Sequence, residues 1–122
     1  METVLVLFVL FSIKHFLADF VFQSNTMVEQ KGTYGAFGGL QHAFTHAMLT
    51  AFLLLPVIPL IMVVLKLAFL DGVIHYHIDW AKQQFSKGYT PADKSFWFWL
   101  GLDQMLHQLT YVIIIGWVVI TI

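Results

Sequence analysis

Two short polar segments divide this 122-residue chain into three long apolar runs, and the lengths of those runs constrain the fold more than any other feature. A bilayer's hydrocarbon core is about 30 Å thick and takes roughly 20 helical residues to cross. The first run, Glu2 to Gln23, is one span long. It lacks the basic start and small-residue cleavage site of a signal peptide and carries Lys14, His15 and Asp19 near its far end, so it is expected to stay as a span. The middle run, Leu40 to Phe85, is too long for one crossing and too short for three, and Pro56-Val57-Ile58-Pro59 splits it. Proline lacks the amide proton and restricts the residue before it, which predicts a tight helix-to-helix turn there. Polar loops are expected at Ser24 to Gly39, rich in glycine, and at Ser86 to Lys94. The expected architecture is all-α: an integral membrane four-helix bundle, one transmembrane domain over residues 1–122, with spans at about 2–23, 40–55, 60–85 and 95–121. An even number of spans brings both termini to the same side.

Composition agrees. Hydrophobic residues make up 59% of the chain and charged residues 11%, against about 25% charged in soluble domains. Six lysines, no arginine and seven acids give a net charge of -1, which leaves no polycation to compete for nucleic-acid phosphate. Absent cysteine excludes disulfides and thiolate metal sites. Lys31, Lys82, Lys87 and Lys94 all fall on the loop side, so the positive-inside rule places the loops in the cytoplasm and the termini outside. The aromatic cluster Phe96 to Trp99 suits a membrane interface.

The charges that remain inside the spans are patterned. Each span holds two potential metal ligands spaced by four, on one helix face and one turn apart: His15 and Asp19, His42 and His46, His75 and Asp79, Asp103 and His107. Asp71 and Lys82 extend the third stripe and Gln23 the first. Counted inward from the loop-side ends, all four pairs fall in the loop-side half of the membrane, within about twelve residues of its surface at 1.5 Å per residue. A single pair of this kind more often forms an interhelical hydrogen bond. Four at matching depth favour metal or proton chemistry, because a charge in mid-span costs about 2.5–3.5 kcal/mol and requires partners. Imidazole and carboxylate without thiolate suit one or two divalent ions, zinc first, with manganese, iron or nickel as alternatives. Gln23, Gln104 and Asp71 would stand behind the ligands as hydrogen-bonding partners. Asp19 or Asp103 could serve as general base if left uncoordinated, and Lys82 could position an anionic group. His77 is offset from His75 and reads as interfacial. Lys66 is expected to snorkel toward the terminal side or pair with Asp71, and Lys14 to neutralise an acid across the bundle.

The run His15 to Gln23, the His42/His46 pair, the run His75 to Lys82 and the run Asp103 to His107 together resemble, in order and over nearly the whole chain, the small bacterial and phage membrane proteins grouped as domain of unknown function 3307. That resemblance implies a four-helix integral membrane protein of bacterial or phage origin and no stated activity; the expected location is the bacterial inner membrane. It adds weight to His15, Asp19, Gln23, His46, His75, Asp79, Lys82, Asp103, Gln104 and His107. Gln41 to Ala47 is also similar to a His-containing element of predicted membrane-bound metal-dependent hydrolases, although the arginine and serine of that element are missing. The leading expectation is therefore a membrane metal-dependent hydrolase acting on a lipid or phosphoester. The alternatives are a divalent-cation or proton transporter and a structural membrane partner without catalysis. Membrane lipid and further copies of the chain are the expected partners.

Overall fold

The computed structural model describes residues 1–122, and all its regular structure is helical. Helix α1 spans Glu2–Phe16 and runs on into a π-helical turn, Leu17–Val21; α2 spans Asn25–Gln30, α3 Phe37–Leu54, α4 Ile61–Phe85 and α5 Lys94–Thr121. Three stretches are long and apolar enough to cross a membrane: Glu2–Val21, Ile61–Phe85 and Lys94–Thr121. Helix α3, expected as a fourth span, falls short of them. Its 18 residues extend about 27 Å, close to a bilayer's hydrocarbon thickness, and it is Gln41, His42 and His46 that dilute its hydropathy.

Helix α1 packs against α3 and α5, and α4 packs against the same two helices. Away from the polar segments, Leu7, Phe11, Leu54, Val64, Leu67, Ile114, Ile115 and Val118 close into one apolar core drawn from all four long helices. The outward faces are apolar too, with Phe44, Phe52, Phe69, Ile113 and Ile120 largely exposed. In water such a surface would be a large exposed patch. In a bilayer it faces its solvent.

The segment expected as a loop at Ser24 to Gly39 contains α2. Ser24 caps that helix, its hydroxyl accepting the Met27 amide at 3.2 Å. Gly38 and Gly39 belong to the first turn of α3, where they admit α2 at close range. A Cβ on Gly38 would lie 2.7 Å from the Thr26 carbonyl oxygen, and one on Gly39 3.6 Å from the Lys31 Cα. The approach is fixed by hydrogen bonds. Gly38 N donates to Gln30 Oε1 at 2.6 Å, and Gly35, at φ +82°, donates to the Tyr76 hydroxyl at 2.6 Å. Together these place Lys31 over the loop-side ends of α3 and α4.

Candidate metal centre

The four sequence pairs converge. His42 and His46 on α3, His75 and Asp79 on α4, Asp103 and His107 on α5, and His15 and Asp19 at the end of α1 and in the π turn are all buried. The π turn closes with Phe22 N donating to Leu17 O at 2.8 Å, a five-residue step that widens the helix. Asp19 sits inside it and meets α3. Its Oδ1 lies 2.8 Å from His46 Nε2, 3.1 Å from His42 Nε2 and 3.7 Å from His75 Nε2, while His42 Nε2 and His75 Nε2 are 3.2 Å apart. The rings of His46 and His75 stack with centroids 3.4 Å apart, and those of His75 and His107 at 4.0 Å.

These separations match the edges of a coordination polyhedron. Ligands bonded at about 2.0–2.1 Å stand about 3.3 Å apart on a tetrahedral ion and about 2.9 Å apart on an octahedral one. Two groups bring one ligand atom from each residue within 4.8 Å of all the others: Asp19, His42, His46 and His75, and then His75, Asp79 and His107. A neutral imidazole offers one lone pair, so His75 can serve one ion at a time. In the second group Asp79 Oδ1 lies 3.1 Å from His107 Nε2, and Asp103 Oδ1 3.4 Å from the same nitrogen. Nδ1 of His42, His46 and His75 has no protein partner, so Nε2 is the nitrogen the fold engages in each. Buried His and Asp groups here could hold a metal ion.

His15 is set differently. Its Nε2 faces two acceptors, Gln104 Oε1 at 3.0 Å and Asp19 Oδ2 at 3.2 Å, which places a proton on Nε2. Nδ1 then accepts from the Tyr111 hydroxyl at 2.8 Å. Gln104 Nε2 donates to Asp103 Oδ2 at 2.9 Å, so this amide ties the first stripe to the fourth. His15 thereby steadies Asp19 instead of pointing a lone pair at the nitrogen cluster.

Four expected partners lie elsewhere. Gln23 follows the end of the π turn and donates to the Asp19 main-chain oxygen at 2.8 Å, satisfying a carbonyl that the ending helix leaves free. Asp71 belongs to a separate buried group: its Oδ2 accepts from Lys14 Nζ at 2.6 Å and from Thr50 Oγ1 at 2.5 Å. Lys66, expected to snorkel toward the terminal side or to pair with Asp71, makes no pair with Asp71 and lines an apolar hollow with Phe69 and Trp117. Lys82 makes no ion pair with the cluster; the lysine that does is Lys31, whose Nζ stands 3.0 Å from Asp79 Oδ2. His77 is turned outward, as its offset predicts, with Nδ1 donating to Val73 O and Nε2 accepting from the Tyr34 hydroxyl.

Thr50 and Tyr111 were legible as the next members of the His42/His46 and Asp103/His107 stripes at intervals of four. Lys31 gave no comparable signal.

The family model described as Protein of unknown function (DUF3307) matches residues 6–122. No curated protein and no solved structure matches the chain.

Proposed function

The chain belongs to the DUF3307 family, and from that premise we propose that it is a membrane metalloprotein whose buried centre serves a metal-dependent hydrolase acting on a lipid or phosphoester. The observation that carries the reading is the meeting of Asp19, His42, His46 and His75 at ligand-edge distances in the buried interior of the molecule. In this reading the four long helices form a four-helix bundle in the bacterial inner membrane, α3 included, with loops cytoplasmic and termini outside. Helix α3 tolerates its low hydropathy because His42 and His46 face the interior.

The four-residue group fills the coordination of one ion, zinc being the best match to its donors. A second ion would take Asp79 and His107 and keep open positions, with Asp103 left uncoordinated beside His107. An ion with an open position lowers the pKa of a bound water and polarises a scissile group. The residues around it have separable tasks. His15 and Gln104 hold Asp19 and Asp103 in orientation. Asp103, on the side of the centre nearest the α4–α5 surface, is the group placed to take a proton. Lys31 covers Asp79 from the loop side and balances the excess of carboxylate charge.

Transport is the competing reading, and the apolar core argues against it. A pathway would continue polar residues toward the termini, but past the Lys14, Asp71 and Thr50 group the interior is sealed by Leu7, Phe11, Leu54 and Val64. Elemental analysis of the detergent-purified protein beside a folded His75→Ala/Asp79→Ala variant tests the centre. One or two equivalents of metal, lost in the variant, are expected; no metal under non-chelating conditions would sink the proposal. Hydrolysis of lipid and phosphoester substrates, set against cation flux in proteoliposomes, then separates enzyme from transporter.

A further inference from the structure

Lys82 is shared by two cavities of opposite chemistry. On one side it ends a groove of about 440 Å³ between α4 and α5, walled by Ile78, Ala81, Phe85, Trp99, Leu102 and Leu106, with Asp103 also in its wall. On the other it enters a second cavity of about 440 Å³, among Thr33, Gln83, Gln84, Ser86, Lys87 and Tyr89. The groove is almost wholly hydrocarbon. The second cavity has two lysines, hydroxyl and amide groups, and no carboxylate in its lining. The ion pairs of the molecule engage Lys14 and Lys31 and leave Lys82 and Lys87 without a carboxylate partner.

We propose that groove and cavity form one site for an anionic phospholipid of the surrounding bilayer, with an acyl chain along α4 and α5 and the phosphate headgroup among Lys82, Lys87 and Ser86. The groove opens on a lipid-facing surface, where hydrocarbon and not water is the solvent, so an acyl chain is the occupant that completes its packing. The headgroup sign follows from charge. Two unpaired ammonium groups with neighbouring hydroxyl and amide donors complement a phosphate diester. A zwitterionic lipid would bring its own cation into a cavity already holding two. Lys82, where hydrocarbon gives way to polar lining, matches the point at which a lipid changes from tail to head.

The location also bears on the centre. A chain lying in the groove passes Asp103, which stands 3.4 Å from His107 Nε2. Lateral entry between α4 and α5 would thus bring a lipid ester to the open side of the cluster. This last step rests on the hydrolase reading, whereas lipid binding does not.

The test is native mass spectrometry of the full chain released from nanodiscs of equal parts phosphatidylglycerol and phosphatidylcholine, with zinc content measured on the same samples. The wild type is expected to retain one phosphatidylglycerol per chain, in about tenfold preference to phosphatidylcholine. Lys82→Gln/Lys87→Gln should abolish the preference, and Ala81→Phe, which fills the groove, should lower retention of both lipids. Excess inorganic phosphate should displace nothing. Equal retention of the two lipids by the wild type, an undiminished preference in the double lysine variant, or displacement by phosphate alone would each overturn the proposal. Bound zinc without lipid preference would remove the lipid site and leave the metal centre standing. Lipid preference without zinc would do the reverse.

Discussion

Replacing Lys14 with Met is expected to destabilise the folded chain by about 3–5 kcal/mol. Lys14 Nζ lies 2.6 Å from Asp71 Oδ2, with the two side chains 2% and 1% exposed. At an effective dielectric of about 20, opposite charges at that distance attract by about 6 kcal/mol, a gross figure that goes mainly to offset the hydration both groups have lost. Lys14→Met removes the attraction and keeps the carboxylate's share of the desolvation. Asp71 is left with the Thr50 hydroxyl on Oδ2 and with an Oδ1 that has no partner even in the intact protein. Adding Asp71→Leu removes the stranded charge, so the double variant should recover most of the loss, with a coupling of about 3 kcal/mol. The assay is equilibrium unfolding of the four proteins in mixed micelles titrated with SDS, followed by tryptophan fluorescence. A Lys14→Met variant within about 1 kcal/mol of wild type, or a double variant no better than the worse single, would refute the reasoning. Metal content should be the same in the double variant and the wild type, because this pair stands apart from the His/Asp cluster.

Lys31→Gln removes the cation 3.0 Å from Asp79 Oδ2; divalent-metal affinity by chelator competition should rise about tenfold, worth about 1.4 kcal/mol, and an unchanged affinity would refute a balancing role for this lysine. Gly38→Ala puts a methyl 2.7 Å from the Thr26 oxygen, which should displace α2 at a cost of about 1–3 kcal/mol. Faster hydrogen exchange over residues 25–31 is the expected sign, and unaltered protection would count against the close packing of α2 on α3. Stripping metal with a chelator should lower stability by about 2.7 kcal/mol relative to metal at a hundred times its dissociation constant; a thermal transition indifferent to the chelator would argue that the cluster is only a hydrogen-bonded lock.

The His and Asp stripes were readable because a helix repeats its faces every three to four residues, and the structure gathers those stripes into one interior. What eluded that periodicity has physical causes. Helix α2 is six residues long and polar, too short for an amphipathic signature, and only the Ser24 cap announces it. Lys31 reaches Asp79 through the packing of α2 on Gly38 and Gly39, a tertiary contact that no local pattern encodes. Gln23 left the stripe because the helix had already ended at Val21, which turned its amide to a main-chain oxygen. Asp71 found Lys14 instead of Lys66, and the choice depended on which face of α4 turned inward. Hydropathy alone excluded α3 from the spans, since it registers two interior histidines as if they faced lipid.

The Lys14 to Asp71 separation of 57 residues also has a meaning in time. At a ribosome speed of about 5–20 residues per second, α1 emerges about 3–11 seconds before its counter-ion has been synthesised. Asp19 waits likewise for His42 and His46, and His15 for Gln104 and Tyr111. The mean hydropathy of 2.1 over Glu2–Val21 suits the helix to lipid, but its buried polar groups wait for partners that come later. The polar face of α1 is therefore satisfied only once α4 and α5 have been made, which places the closing of this interior late in the birth of the protein.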